Sequence, residues 1–200
     1  MKQYFNVLFY RIFIDPLLSV LRKSITESIN DAAKIIDIAC GPGTLAVSLS
    51  RKAGHVTGID IDQGLISFAT SRARKKGLSN LTFKVHDASD LSVYKNQEFD
   101  IAVTSMAIHQ FSEELAVIIL REMKRIAHKI IIADYNYQMP EGFARNVAYG
   151  IESITKGDHQ SNFRNYMSKG GIIWFTGAAG LTVKSTTIKG KEIFIVVECD

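Results

Sequence analysis

Asp37 stands four residues ahead of Gly41 in the run Ile35-Ile36-Asp37-Ile38-Ala39-Cys40-Gly41-Pro42-Gly43, where an apolar stretch meets a glycine turn. Glycines at such a turn let the backbone approach a ligand that any Cβ would hold off. The helix that follows, read from Thr44 to Ala53, presents free N–H groups at the same spot. A nucleotide-like cofactor is the natural occupant. Gly41-Pro42-Gly43-Thr44-Leu45-Ala46 satisfies the loose Gly-x-Gly-x-x-Gly/Ala pattern, and Asp60 follows Gly41 by 19 residues. Both features suit a dinucleotide site, where the acid holds ribose hydroxyls. Asp37 points elsewhere, because a carboxylate there repels a pyrophosphate and attracts an ammonium or sulfonium group. Asp87, just after His86 at the end of a third apolar run, can accept a hydrogen bond from an adenine amino group.

These residues must be positioned by alternating strands and helices. The strands are read as Lys34–Ala39, His55–Asp60, Leu81–His86, Phe99–Thr104 and Lys129–Ala133. They are short apolar runs without alternation, as expected when helices cover both faces of a parallel sheet. Asp62 is placed to cap a helix that runs to Lys76 and stops at Gly77, and Ser112 to cap the next. Two β-branched runs, Leu181–Ile188 and Glu192–Cys199, flank Lys189-Gly190-Lys191 and read as an antiparallel hairpin. The expected fold is therefore α/β, a Rossmann-like three-layer sandwich whose mostly parallel sheet ends in a C-terminal antiparallel hairpin. Ligands in such sheets bind at the carboxyl ends of the strands.

The 200 residues predict one domain, with 46% hydrophobic and 22% charged residues as in ordinary globular chains. Residues 1–30, rich in Phe, Tyr, Ile and Leu, read as an N-terminal helical cap. Arg11 and Asp15 interrupt the apolar run and no small-residue cleavage site follows, which argues against a signal peptide or a membrane span. Residues 134–180 are too long for one crossover helix and read as a helical insertion on the substrate side. Neither cysteine has a Cys-x-x-Cys partner, so neither a zinc site nor a disulfide framework is expected. This usage fits a reducing compartment, and a cytoplasmic location is the expectation. The net charge of +4 is mild. Arg72, Arg74, Lys75 and Lys76, like Arg121, Lys124, Arg125 and Lys129, fall near helix C-termini, where they favour the dipole rather than form a nucleic-acid patch.

Taken in order, the motifs resemble those of class I S-adenosylmethionine-dependent methyltransferases. Ile36 to Gly43 resembles the first motif, Gly58-Ile59-Asp60-Ile61-Asp62 the acidic second motif, and His86-Asp87-Ala88 the adenine-contacting turn. Phe99-Asp100-Ile101 through His109 resembles the fourth strand and its loop, and Leu120 to Ile126 the helix before the fifth strand. The resemblance covers roughly Lys34 to Val197 and is greatest to the quinone-biosynthesis-like methyltransferases of small molecules. It departs at Ala39, where many members carry glycine, and in lacking a Lys-Pro-Gly-Gly turn before the fifth strand. The resemblance implies S-adenosylmethionine as cofactor and S-adenosylhomocysteine as product. Gly41 and Gly43, with the small Ala39, would approach the methionine portion, and Asp37 would orient its amino group. Asp60 would accept the ribose hydroxyls and Ile61 would pack on adenine. Asp87 and the Ala88 backbone would read the adenine edge, and Thr104 and Ser105 would line the methionine side.

The acceptor must be argued from other residues. After the fourth strand the chain reads Val103-Thr104-Ser105-Met106-Ala107-Ile108-His109, without the Asn/Asp-Pro-Pro-aromatic run of enzymes that methylate exocyclic base amines. No cysteine follows a proline, as carbon-5 pyrimidine chemistry requires. A small, partly apolar acceptor is therefore expected, and nucleic acid is not. Methyl transfer needs alignment and exclusion of water, and a base only where the acceptor has a proton to lose. His109 is the first candidate base, with His159 and Tyr135 next; a packed or solvated histidine is the competing reading. Met106, Phe111, Tyr135, Tyr166 and Trp174 are candidates for an apolar acceptor pocket, against plain core. An RNA methyltransferase, an NAD-dependent oxidoreductase and a non-catalytic cofactor-binding member are the rival functions. The oxidoreductase reading lacks a Tyr-x-x-x-Lys pair.

Overall fold

The computed structural model describes residues 18–154 and 157–200. Most of the sequence read as an N-terminal cap lies outside those residues; what is described of it is helix α1 (Ser19–Ser28). The sheet has the strand order β3-β2-β1-β4-β5-β7-β6. Its strands are β1 (Lys34–Ile38), β2 (His55–Asp60), β3 (Leu81–Val85), β4 (Phe99–Ser105), β5 (Ala127–Tyr135), β6 (Val183–Lys189) and β7 (Phe194–Cys199). The first five pair in parallel, and β7 runs antiparallel to both β5 and β6. Ile35, Ile36 and Ile38 of β1 and Ile130, Ile131 and Ile132 of β5 are fully buried. That is why these strands are apolar on both faces.

Helices α2 (Thr44–Leu49), α3 (Gln63–Lys75) and α4 (Glu113–Ile126) connect the parallel strands. Right-handed crossovers leave β1 in one direction and β4 in the other, so α2 and α3 cover one face and α4 the opposite face. A crevice opens between β1 and β4, where the winding reverses. The expected caps form: Asp62 Oδ1 accepts from the N–H groups of Gly64 and Leu65, and Ser112 Oγ accepts from that of Leu115. Helix α2 stops at Leu49 rather than Ala53 because the chain tightens into three-residue turns, Arg51 N–H to Ser48 and Lys52 N–H to Leu49.

Between β5 and β6 lie three helices, α5 (Phe143–Ile154), α6 (His159–Lys169) and α7 (Gly171–Ala178). They pack on one another and, through α6 and α7, on the α4 face. Here the basic residues do something the sequence did not suggest. Arg121 and Lys124 leave their own helix end and donate to the carbonyls of Ala178 and Gly180, closing the end of α7. Strand β7 begins at Phe194 rather than Glu192, because Asn136 takes the carbonyls of Glu192 and Ile193. Strand β6 is an exposed edge; its Lys184 and Lys189 discourage further pairing. Among the described residues no helix is long and apolar enough to cross a membrane.

Candidate functional site

At the crevice, the end of β1 delivers Asp37 beneath the glycine turn. Its side chain is 1% exposed, and Oδ2 has no hydrogen-bond partner among the described residues. Burial, reinforced by the nearby Asp60 charge and opposed by one backbone N–H from Ala46, pushes its carboxyl from 3.8 up to about 8. A buried acceptor without a donor is costly, so the arrangement asks for a cationic donor from outside the chain.

The turn above it is left-handed at three positions, Ala39 (φ 54°), Gly41 (φ 53°) and Gly43 (φ 72°). The two glycines serve different ends. A Cβ on Gly41 would meet nothing within 4 Å, so that glycine faces open space where a ligand can approach. A Cβ on Gly43 would come within 2.4 Å of the Phe83 ring, so that glycine is required by packing. Asp60, at the end of β2, holds the turn in place. Its Oδ2 accepts the Gly41 N–H at 2.8 Å and its Oδ1 the Asp62 N–H at 2.9 Å, leaving further lone pairs on the side open to solvent. Ile61 beside it is 72% exposed, an apolar surface without a cover among the described residues. Asp87 is exposed and forms an Asx turn with Ser89, with Ala88 half-buried behind it. Hydrogen bonds from the Ser89 backbone and hydroxyl hold Asp87 below the usual carboxylate range. Thr104 is buried with its Oγ1 unpartnered among the described residues, and Ser105 is half-buried. The cofactor-side residues thus line one crevice rim, from β1 through β3 on one side and β4 on the other.

The three candidate bases meet in a different place. His109 lies in a 3-10 turn over Ile108–Gln110 and is 1% exposed. Its Nδ1 is 2.5 Å from Asp134 Oδ1, and its Nε2 is 3.4 Å from Glu152 Oε1. The Tyr135 hydroxyl donates to that same Glu152 oxygen at 3.1 Å. The rings of Tyr135, Phe163 and Tyr166 stand edge-on around the imidazole. Burial alone would push His109 down, but the charges and hydrogen bonds of Asp134 and Glu152 outweigh it and raise the imidazolium from 6.5 to about 9. Burial likewise pushes Glu152 up, and its contacts with His109, Tyr135 and His159 overcome this and hold it below the usual range.

In this geometry His109 lies between two carboxylates, Asp134 and Glu152. An imidazole that carries its proton at neutral pH, with a carboxylate at each nitrogen, is not free to accept another. Tyr135 is core as well, its hydroxyl already donating to Glu152 and its ring stacked on Phe194. His159, half-buried at the start of α6, has a ring nitrogen, Nδ1, without a hydrogen bond among the described residues; His109 Nε2 also has none and meets Glu152 only as the 3.4 Å ion pair. The apolar pocket candidates divide similarly. Tyr166 is buried core, while Met106, Phe111 and Trp174 are half-buried. Glu152 gave no sequence signal, since its partners lie far away along the chain. Asp134 lies near the end of β5, and nothing in the sequence ties it to His109. Both cysteines are buried, and burial pushes both thiols up, Cys199 to about 11, which removes them as nucleophiles.

Comparison with known proteins adds to this geometry. A family model described as a methyltransferase domain matches residues 29–176. A ubiquinone/menaquinone biosynthesis C-methyltransferase from Allorhizobium ampelinum is 28% identical over 86% of this chain and 76% of its own length. A ubiquinone biosynthesis O-methyltransferase from Aeromonas salmonicida is 24% identical over 76% of this chain and 63% of its own length. Among solved structures, the PH0226 protein from Pyrococcus horikoshii superposes with a TM-score of 0.72 at 19% identity, covering 96% of this chain and 97% of that one. Magnesium protoporphyrin IX methyltransferase from Synechocystis, solved with bound S-adenosylhomocysteine, superposes with a TM-score of 0.62 at 16% identity, covering 90% of this chain and 81% of that one.

Proposed function

The chain belongs to the methyltransferase-domain family of class I S-adenosylmethionine-dependent enzymes, and from that premise we propose that it methylates a small, partly apolar molecule. S-adenosylmethionine, when bound, supplies a methyl group activated by a sulfonium. The observation that carries the cofactor assignment is Asp37 Oδ2, a buried carboxylate oxygen with no donor, under a glycine turn that opens to solvent. The cofactor's ammonium is the donor that fits. Gly41 lets the backbone approach its methionine portion, flanked by Ala39 and Gly43. Asp60 has lone pairs left for the ribose hydroxyls, and Ile61 offers an apolar face to adenine. Asp87 and Ala88 read the adenine edge, and Thr104 and Ser105 line the opposite wall.

The small-molecule reading is supported by the relatives' quinone-biosynthesis names and by the missing nucleobase motif. The helices α5 to α7 stand where an acceptor would be enclosed and water excluded. For an acceptor with a proton to lose, His159 is the base the geometry favours. The oxidoreductase reading is set aside by the family, and the RNA reading lacks both the exocyclic-amine motif and a cysteine placed for carbon-5 pyrimidine chemistry.

Calorimetric titration with S-adenosylhomocysteine, with NAD as the control, tests the cofactor reading. Micromolar binding of the former alone, lost in Asp60→Ala, is expected, and a preference for NAD would overturn it. An acceptor screen against quinone precursors and RNA then tests the acceptor class.

A further inference from the structure

We propose that His109 is a positioning residue that docks helix α5 onto the sheet by gripping Glu152. This rests on the reading of that end of the sheet as the acceptor side, and it assigns to the buried cluster a task separate from cofactor binding.

Helix α5 has few anchors. Among its described side chains, only Ala148 and Glu152 are buried. Tyr149 adds an edge contact to Phe163, and Arg145 turns outward over the Tyr149 ring. Glycines in the left-handed region flank the helix, Gly142 at φ 140° and Gly157 at φ 79°, both exposed and with open space around them. The segment is therefore a helix between two glycines, and the one buried charge among its described side chains, Glu152, seats it on the body. That charge falls at the junction of three elements: Asp134 from β5, His109 from the turn after β4, and Glu152 from α5. Among the described residues, the charged and titratable groups seen to face His109 or Glu152 include Asp134 and Tyr135 from β5, and Tyr166 and His159 from α6.

A buried ion pair contributes little net stability against an apolar substitute, but breaking one half leaves the other charge exposed to a large penalty. The molecule can escape that penalty by letting α5 swing away, which returns Glu152 to water. Loss of His109 should thus open α5 rather than unfold the sheet. Local openings of this kind are read directly by amide exchange.

The experiment is hydrogen–deuterium exchange of the full chain with S-adenosylhomocysteine bound, comparing wild type, His109→Gln, Glu152→Gln and the double variant. The glutamine at position 152 keeps an acceptor for the Tyr135 hydroxyl and removes only the charge. Both single variants should raise exchange in 143–154 tenfold or more, while peptides over 34–60 and 127–135 stay protected. The double variant should exchange like either single one, because the two act through one contact. In wild type, protection of 143–154 should fall selectively as the pH passes about 9, and this fall should be absent from Glu152→Gln. Unchanged exchange in 143–154, a uniform rise across the sheet, or additive effects in the double variant would each overturn the proposal. If S-adenosylhomocysteine does not bind any variant, the same exchange comparison run without it still decides the docking, while the methyltransferase reading fails separately.

Discussion

Asp37 and Asp134 sit on the two strands that flank β4, and both are buried, at 1% and 0% exposure. The register Asp37–Val103–Ile131 places their side chains on opposite faces of the sheet, since alternate residues of a strand face opposite ways. Their surroundings differ in kind. Asp134 is satisfied from within the chain: it faces the His109 ring nitrogen and backbone N–H and receives the Tyr135 backbone N–H. Asp37 has one backbone donor, a neighbouring acid and an oxygen with no partner among the described residues. Burial strength is the same and the chemistry is not. A buried acid whose bonds close inside the chain holds elements together, whereas one left open is held ready for a ligand.

The largest test of that contrast is to remove a partner from the closed site. His109→Leu leaves Asp134 as an uncompensated buried charge while α5 opens to return Glu152 to water, and it should cost about 3 kcal/mol of stability in chemical denaturation. S-adenosylhomocysteine affinity should hardly move. A loss of affinity matching the loss in the cofactor-site variants would erase the distinction between the two sites.

The open site should respond with the opposite sign. Asp37→Asn removes a carboxylate that the empty protein does not satisfy, so the variant should be more stable than wild type by about 1–3 kcal/mol at pH 8. It should also bind S-adenosylhomocysteine about 10- to 100-fold more weakly, the value of a charge-assisted hydrogen bond. A gain in stability with a loss of binding is the signature of a functional group held at a structural cost. If Asp37→Asn destabilised the empty protein, Asp37 would belong with Asp134.

The pH dependence sharpens the same point. The Asp37 carboxyl is raised from 3.8 to about 8, so its contribution is present below pH 3.8 and is lost as pH rises through about 8. His109 is raised from 6.5 to about 9, so its contribution is present below pH 6.5 and is lost as pH rises through about 9. Wild-type stability should fall in both windows, and Asp37→Asn should abolish the first and keep the second. Cofactor binding at pH 7 should release close to one proton from Asp37, measured as calorimetric heats in buffers of different ionisation enthalpy. No proton release would place the Asp37 carboxyl outside the contact.

The fold was readable in the sequence because its signals are local. Apolar runs mark buried strands, Asp62 and Ser112 mark helix starts, and the acid-plus-glycine turn marks the junction of β1 and α2. The buried cluster around His109 was not readable in the same way. His109, Tyr135 and His159 were read as candidate bases, but their common partner Glu152 lies on a helix that nothing in the sequence ties to them. Burial of His109 follows from tertiary packing of Phe163 and Tyr166 around it. A histidine in a loop reads identically whether it is solvated, catalytic or ion-paired, and only the fold decides.

The smallest test concerns Ala39, the one departure from the first motif that the structure can price. Its φ of 54° puts a residue with a Cβ in the left-handed region, at a cost of roughly 1–2 kcal/mol relative to a normal backbone. Ala39→Gly relieves that strain but loosens the unfolded chain, which offsets about 0.4–1 kcal/mol of the gain. A net stabilisation of about 0.5–1 kcal/mol is therefore expected, with S-adenosylhomocysteine affinity unchanged within about threefold. A larger gain would mean that the turn itself is strained for the ligand, as Asp37 is. Destabilisation would mean that the Ala39 methyl packs productively, and the turn would then resemble the closed site more than the open one.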